Sequence, residues 1–169
     1  AAPLNHFSCA PLTVEALRVK PQDGRLRVIE VINGELLTKE LLAAPKVEQG
    51  NVVSDPARDL LKLAVVNRYK AAPPAVAFVK NFGLTRGAIA SSVAHDSHNV
   101  IALGCSDAEI VRAANAVILA KGGIALVDGD HAELLPLPVA GLMSAADGYE
   151  VAQAYERIDR AAKQLGSGL

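Results

Sequence analysis

The sequence predicts an α+β fold: a single domain with a largely antiparallel sheet and helices packed on one side. Three observations carry this expectation. Short apolar runs bounded by turn residues follow one another from Leu26 to Val93, the pattern of strands joined by short connections. A strongly signalled helix start comes only later, at Ser106, and a hairpin pattern separates that helix from a second one. Hydrophobic residues make up 51% of the 169, enough for one sizeable core at a length typical of one domain.

Residues 1–25 read as a leading segment, because three prolines and the Gln22-Asp23-Gly24 turn leave room for one short element. The domain itself is expected over 26–169. Val28, Ile29, Val31 and Ile32 form a strand that runs into Asn33-Gly34, a dipeptide suited to a tight hairpin. Glu35 to Leu42 returns as a strand or a short helix; its mixed periodicity fits both. Asn51-Val52-Val53 is a short piece between turn residues, and Leu60 to Tyr69 reads as a buried strand. Ala71 to Pro74 breaks the pattern, since a proline disfavours helix in the residue before it. Val76 to Val79 and Ala88 to Val93 are two further strands.

Ser106-Asp107-Ala108-Glu109 is a capping box that opens a helix. Ile110, Ala113, Ala114, Val117 and Ile118 continue it at helical spacing, and Gly122-Gly123 stops it. Ile124 to Val127 and Ala132 to Leu135 pair around Asp128-Gly129-Asp130. Pro136-Leu137-Pro138 is expected to be a loop, because proline cannot donate to a ladder. A second helix runs from about Tyr149 to Leu165, with Val151, Ala154, Ile158, Ala161 and Leu165 on one face and Gly166 at its end.

Composition narrows function. Seventeen basic residues against eighteen acidic ones give a net charge of −1, no field for a nucleic acid or an anionic membrane. Aromatics are 4% with no tryptophan, which argues against a base-stacking surface. No apolar run reaches the length of a membrane helix, and the first residues lack the basic-then-apolar pattern of a signal peptide. Cys9 and Cys105 fit no metal or redox spacing. The expected setting is a reduced, cytoplasmic compartment. With no initiator methionine, the chain also reads as a piece of a longer polypeptide.

The densest polar cluster is Ser91-Ser92-Val93-Ala94-His95-Asp96-Ser97-His98-Asn99. Imidazole and carboxylate side chains can move protons near neutral pH or bind a metal. The plain alternative is a polar turn whose side chains satisfy backbone amides. A metal site lacks a third distant ligand, and a catalytic triad draws its members from separate elements rather than one turn. His6 and His131 are isolated. Arg86, in the Gly83 to Gly87 turn, faces either solvent or an anionic or planar ligand. Lys20, Arg25 and Arg27 form a small basic patch. Gly122-Gly123 follows a helix, so it is no phosphate loop, which would precede one. The uncharged run from Leu135 to Met143 is expected to expose an apolar contact surface.

Asn81-Phe82-Gly83-Leu84, the string from Arg86 through Ala94 to His95-Asp96-Ser97-His98-Asn99, and Leu135-Pro136-Leu137-Pro138-Val139-Ala140-Gly141-Leu142-Met143-Ser144 together resemble the C-terminal domain of bacterial adenine deaminases. Lys121 to Val127 and the Arg27 to Ile32 strand fit the same family, so the resemblance covers roughly Arg25 to Gly166. It implies hydrolysis of adenine to hypoxanthine and ammonia, within purine salvage. It also implies a preceding amidohydrolase (β/α)8 barrel that holds iron or manganese, with no metal on this chain. The barrel and adenine are the implied partners, in a homo-oligomer. On this reading His95, Asp96 and His98 assist catalysis, and Ser92, Asn99 and Arg86 contact substrate. The rival reading is a structural or oligomerisation domain packed on the barrel.

Overall fold

The computed structural model describes residues 5–22 and 24–168; Asp23 of the expected Gln22-Asp23-Gly24 turn lies outside them. Ten strands and two helices follow in chain order: β1 (Leu26–Glu30), β2 (Lys39–Ala43), β3 (Lys46–Glu48), β4 (Asn51–Val53), β5 (Leu60–Val66), β6 (Ala75–Lys80), β7 (Ala88–Ser91), β8 (Val100–Gly104), α1 (Asp107–Leu119), β9 (Gly123–Asp128), β10 (His131–Pro136) and α2 (Gly148–Gln164). Eight strands make one sheet in the order β10-β9-β7-β8-β5-β6-β1-β2, and β3 and β4 form a separate ribbon. Every neighbouring pair is antiparallel except β1 and β6. The fold is α+β, as the order of patterns predicts.

The two helices lie on opposite faces, not on one side. Side chains alternate along a strand, and the two parities carry different volumes. Ala64, Ala88, Ala90, Ala102 and Ala125 share a core with Ile110, Ala113, Ala114 and Val117 of α1. Small residues on both partners let helix and sheet approach closely. Leu61, Leu103 and Leu126, of the other parity, share a core with Ile158 and Leu165 of α2. The physical reason is that β5, β7, β8 and β9 are apolar on both faces and require two covers.

The leading segment is part of the α1 face. Leu12 and Leu17 are buried there. The Asn115 amide of α1 holds Leu12 by both backbone groups, accepting from its N–H (2.7 Å) and donating to its C=O (2.9 Å). Lys62 is fully buried on this face; its Nζ lies 2.7 Å from Asp107 Oδ1 and donates to the Leu17 carbonyl at 3.0 Å. One cation thus ties β5, the leading segment and the first turn of α1.

Three further expectations change. Asn33-Gly34 sits in a turn closed by Glu35 N–H to Ile32 C=O (3.1 Å), within a longer connection rather than a two-residue hairpin. Pro136 still belongs to β10, which it can as an edge-strand residue. The run from Leu135 to Met143 exposes little: Leu135 and Leu137 point into the α2-side core, leaving Met143 as its large exposed hydrophobic. Alternation persists through the prolines and turns the leucines inward.

Candidate functional site at one end of the sheet

The chain leaves the sheet after Ser91 and returns at Val100, so residues 92–99 form one loop at the end of β7 and β8. Its base is locked. Ser92 is fully buried; its Oγ donates to Gly141 C=O (2.6 Å) and accepts from Gly123 N–H (2.9 Å). Ala94 is buried, and its C=O accepts from His98 N–H (2.8 Å). Between these anchors the tip turns sharply, with Asp96 and His98 both in the left-handed region (φ 63° and 48°). Asp tolerates that region better than most side chains, and its use twice in one turn stores backbone strain.

The tip projects outward. His95 and Asp96 side chains are 95% and 91% exposed, with His95 Nδ1 3.2 Å from Asp96 Oδ1. His98 and Asn99 lean inward, where His98 Nδ1 and Asn99 Oδ1 are buried without a hydrogen-bond partner among the described residues. The loop therefore presents an imidazole–carboxylate pair to the outside on a rigid stem.

Two predicted site residues stand elsewhere. Ser92 is enclosed, and its hydroxyl is spent on the backbone of β9 and of the Val139–Met143 turn. Arg86 lies before β7, at the end opposite the loop, and its Nε reaches Asp128 Oδ1 and Oδ2 at 3.1 and 3.2 Å. His95 and Asp96 come together at the tip, His98 and Asn99 lean inward behind them, Ser92 anchors the base of the loop, and Arg86 does not join them. His6 contacts Ser8 Oγ, and His131 contacts Glu133. Burial pushes the Cys105 thiol up to about 11, aided by the Glu109 and Asp59 carboxylates, so it is no nucleophile near neutral pH.

One residue escaped the sequence reading. β5 ends at Val66, which pairs with Val100, so Asn67, Arg68 and Tyr69 leave the sheet at the loop's end of the molecule. Arg68 is only 4% exposed. Its guanidinium lies 4.9 and 4.8 Å from the rings of Phe7 and Tyr69, and Nη2 donates to Tyr69 Oη at 3.0 Å. A Cβ at Gly141 would run into Nη1. Arg68 thus clamps the leading segment and the Val139–Met143 turn beneath the same end as His95. Its contacts with Phe7 and Gly141 are remote in sequence, so no local signal marks it.

Residues 35–169 match the adenine deaminase C-terminal domain family. The chain belongs to that family. An adenine deaminase of Methanosarcina barkeri is 52% identical over 88% of this chain and 27% of its own length. That of Parabacteroides distasonis is 50% identical over 96% and 30%, and that of Methanosarcina mazei 50% over 98% and 32%. The chain therefore spans about a third or less of the relatives it matches. Among the described residues, no three His, Cys, Asp or Glu side chains converge as metal ligands. No described helix is long and apolar enough to cross a membrane.

Proposed function

We propose that this domain serves an adenine deaminase, which hydrolyses adenine to hypoxanthine and ammonia in purine salvage, by lending the His95–Asn99 loop to the mouth of the active site. Water supplies the oxygen at C6 and the exocyclic amine departs as ammonia, so protons must be delivered near the leaving nitrogen. The observation that carries the reading is the His95–Asp96 pair, exposed on a stem locked by Ser92 and on a left-handed backbone. Such a pair can hydrogen-bond the purine or relay a proton. A packed barrel partner covers this end of the sheet.

The test uses the longer polypeptide. His95→Ala lowers kcat/KM for adenine by about 10²-fold, the low end of acid–base assistance, with the melting temperature unchanged because the side chain packs on nothing. Asp96→Asn behaves alike. Unchanged kcat/KM in both variants returns the loop to a polar turn.

The structural or oligomerising alternative has its own support. β2 is an edge strand with no outer partner in the sheet, and Leu36 and Leu37 beside it are strongly exposed. Exposed apolar edges invite pairing. On that reading Leu37→Lys changes the assembly state and leaves kcat/KM alone.

A further inference from the structure

The parallel pair β1–β6 is laddered only at Ile29↔Val79 and Glu30↔Lys80. The first halves of both strands run on past that ladder and line a cleft of about 600 Å³. Its accessible apolar part is Leu26, Ile29 and Val76, backed by Val28, Val52 and Phe78, buried members of a small separate core. Its rim carries Lys20, Arg25, Arg27 and Lys39 against one carboxylate among the described residues, Glu40. Arg27 is already paired with Glu40 at 2.9 Å. Lys20 reaches only the Gly50 carbonyl (3.4 Å), and Arg25 and Lys39 have no carboxylate partner among the described residues.

Among the described residues Lys20 and Arg25 lack a carboxylate partner, and Lys39, with Glu30 opposite it across the β1–β2 ladder, forms no ion pair; this excess of cations around an apolar floor stands out in a chain of net charge −1. A neutral apolar ligand would leave the like charges facing one another. A bare inorganic anion would gain nothing from the floor. The volume lies within the range of small-molecule sites, which combine apolar lining with a few placed charges. We propose that this cleft binds a small amphipathic anion, a carboxylate or phosphate on an apolar body. Lys20, Arg25 and Lys39 meet the charge, and Leu26, Ile29 and Val76 meet the body. The cleft lies across β8 and β5 from the loop of β7, so it is separate from the site above.

The test titrates the 169-residue chain with octanoate, phenyl phosphate, 1-octanol and inorganic phosphate, following backbone amide shifts by NMR. Octanoate or phenyl phosphate gives saturable one-to-one shifts at Leu26–Ile29 and Val76–Phe78, and the tighter of the two names the head group. Octanol and inorganic phosphate bind at least about tenfold more weakly. Arg25→Glu with Lys39→Glu, both on the exposed rim, weakens binding about tenfold, the worth of two lost surface charge contacts. Glu40→Gln, which frees Arg27, tightens it. Retained spectral dispersion certifies the fold of each variant. Absence of saturable shifts at these amides, equal binding of octanol, or unchanged affinity in the double variant overturns the proposal.

Discussion

Ser92 shows how a hydroxyl expected to contact substrate can be buried and bonded to the backbone instead. Its neighbours in the chain, two histidines and an aspartate, suggest a polar site; its burial and its bonds to Gly123 and Gly141 give it another task. Ser92→Ala leaves a buried N–H and a buried C=O without that partner, a loss of about 2 kcal/mol. For a chain of this length the melting temperature falls by about 4–8 °C. The kinetics of the folded fraction stay normal, which separates a structural serine from a substrate-binding one. Differential scanning calorimetry with parallel turnover measurement on the longer polypeptide checks both halves. A drop in kcat/KM without a thermal shift would restore Ser92 to the substrate. His95 and Asp96 were legible because clustered imidazole and carboxylate groups are chemically distinctive wherever they fold. Arg68 was not, because its importance arises from Phe7 and Gly141, which are remote in sequence.

Elements were legible where their signals are local. The start of α1 needs only Ser106 and Glu109: Ser106 Oγ accepts from Glu109 N–H (3.3 Å) and donates to Glu109 Oε2 (2.7 Å). Ser106→Ala removes that cap for about 1 kcal/mol, and Ser106→Asp, which keeps an acceptor at the N-terminus, recovers most of it. Urea denaturation at constant m-value measures both. β2 was illegible for the opposite reason. Glu-Leu-Leu-Thr-Lys-Glu-Leu-Leu supports helix and strand alike, and pairing with β1 decides the matter, with Leu41 opposite Val28 and Arg27 bonded to Glu40. The side of the sheet on which each helix packs is also non-local. It follows from the parity of Ala88 and Ala90 against Ile89, a distinction that a count of helices misses.

At the scale of the whole molecule, the family match and the folding unit do not coincide. The match begins at residue 35, yet β1 lies at Leu26–Glu30 and stands in the sheet between β6 and β2. A chain beginning at Glu35 would lose the strand that joins β2 to the rest of the sheet. It would also lose Leu12 and Leu17, which cap the α1 face, and the Leu17 carbonyl that accepts from buried Lys62. Each buried leucine is worth about 1.5–3 kcal/mol, and a deprived buried ammonium adds about 1–3 kcal/mol. With β1 and its pairings with β2 and β6 gone as well, these losses rival the 5–15 kcal/mol that holds a typical domain folded. The 169-residue chain is therefore expected to unfold in one cooperative transition. The 35–169 chain is expected to lack one and to give a collapsed amide spectrum. A chain beginning at residue 24 separates the contributions, since it keeps β1 and loses only the leading segment: it folds, with a melting temperature well below that of the full chain. Equal melting temperatures for the full chain and the chain from residue 24 would reduce the leading segment to a tether, and cooperative unfolding of 35–169 would show β1 to be dispensable.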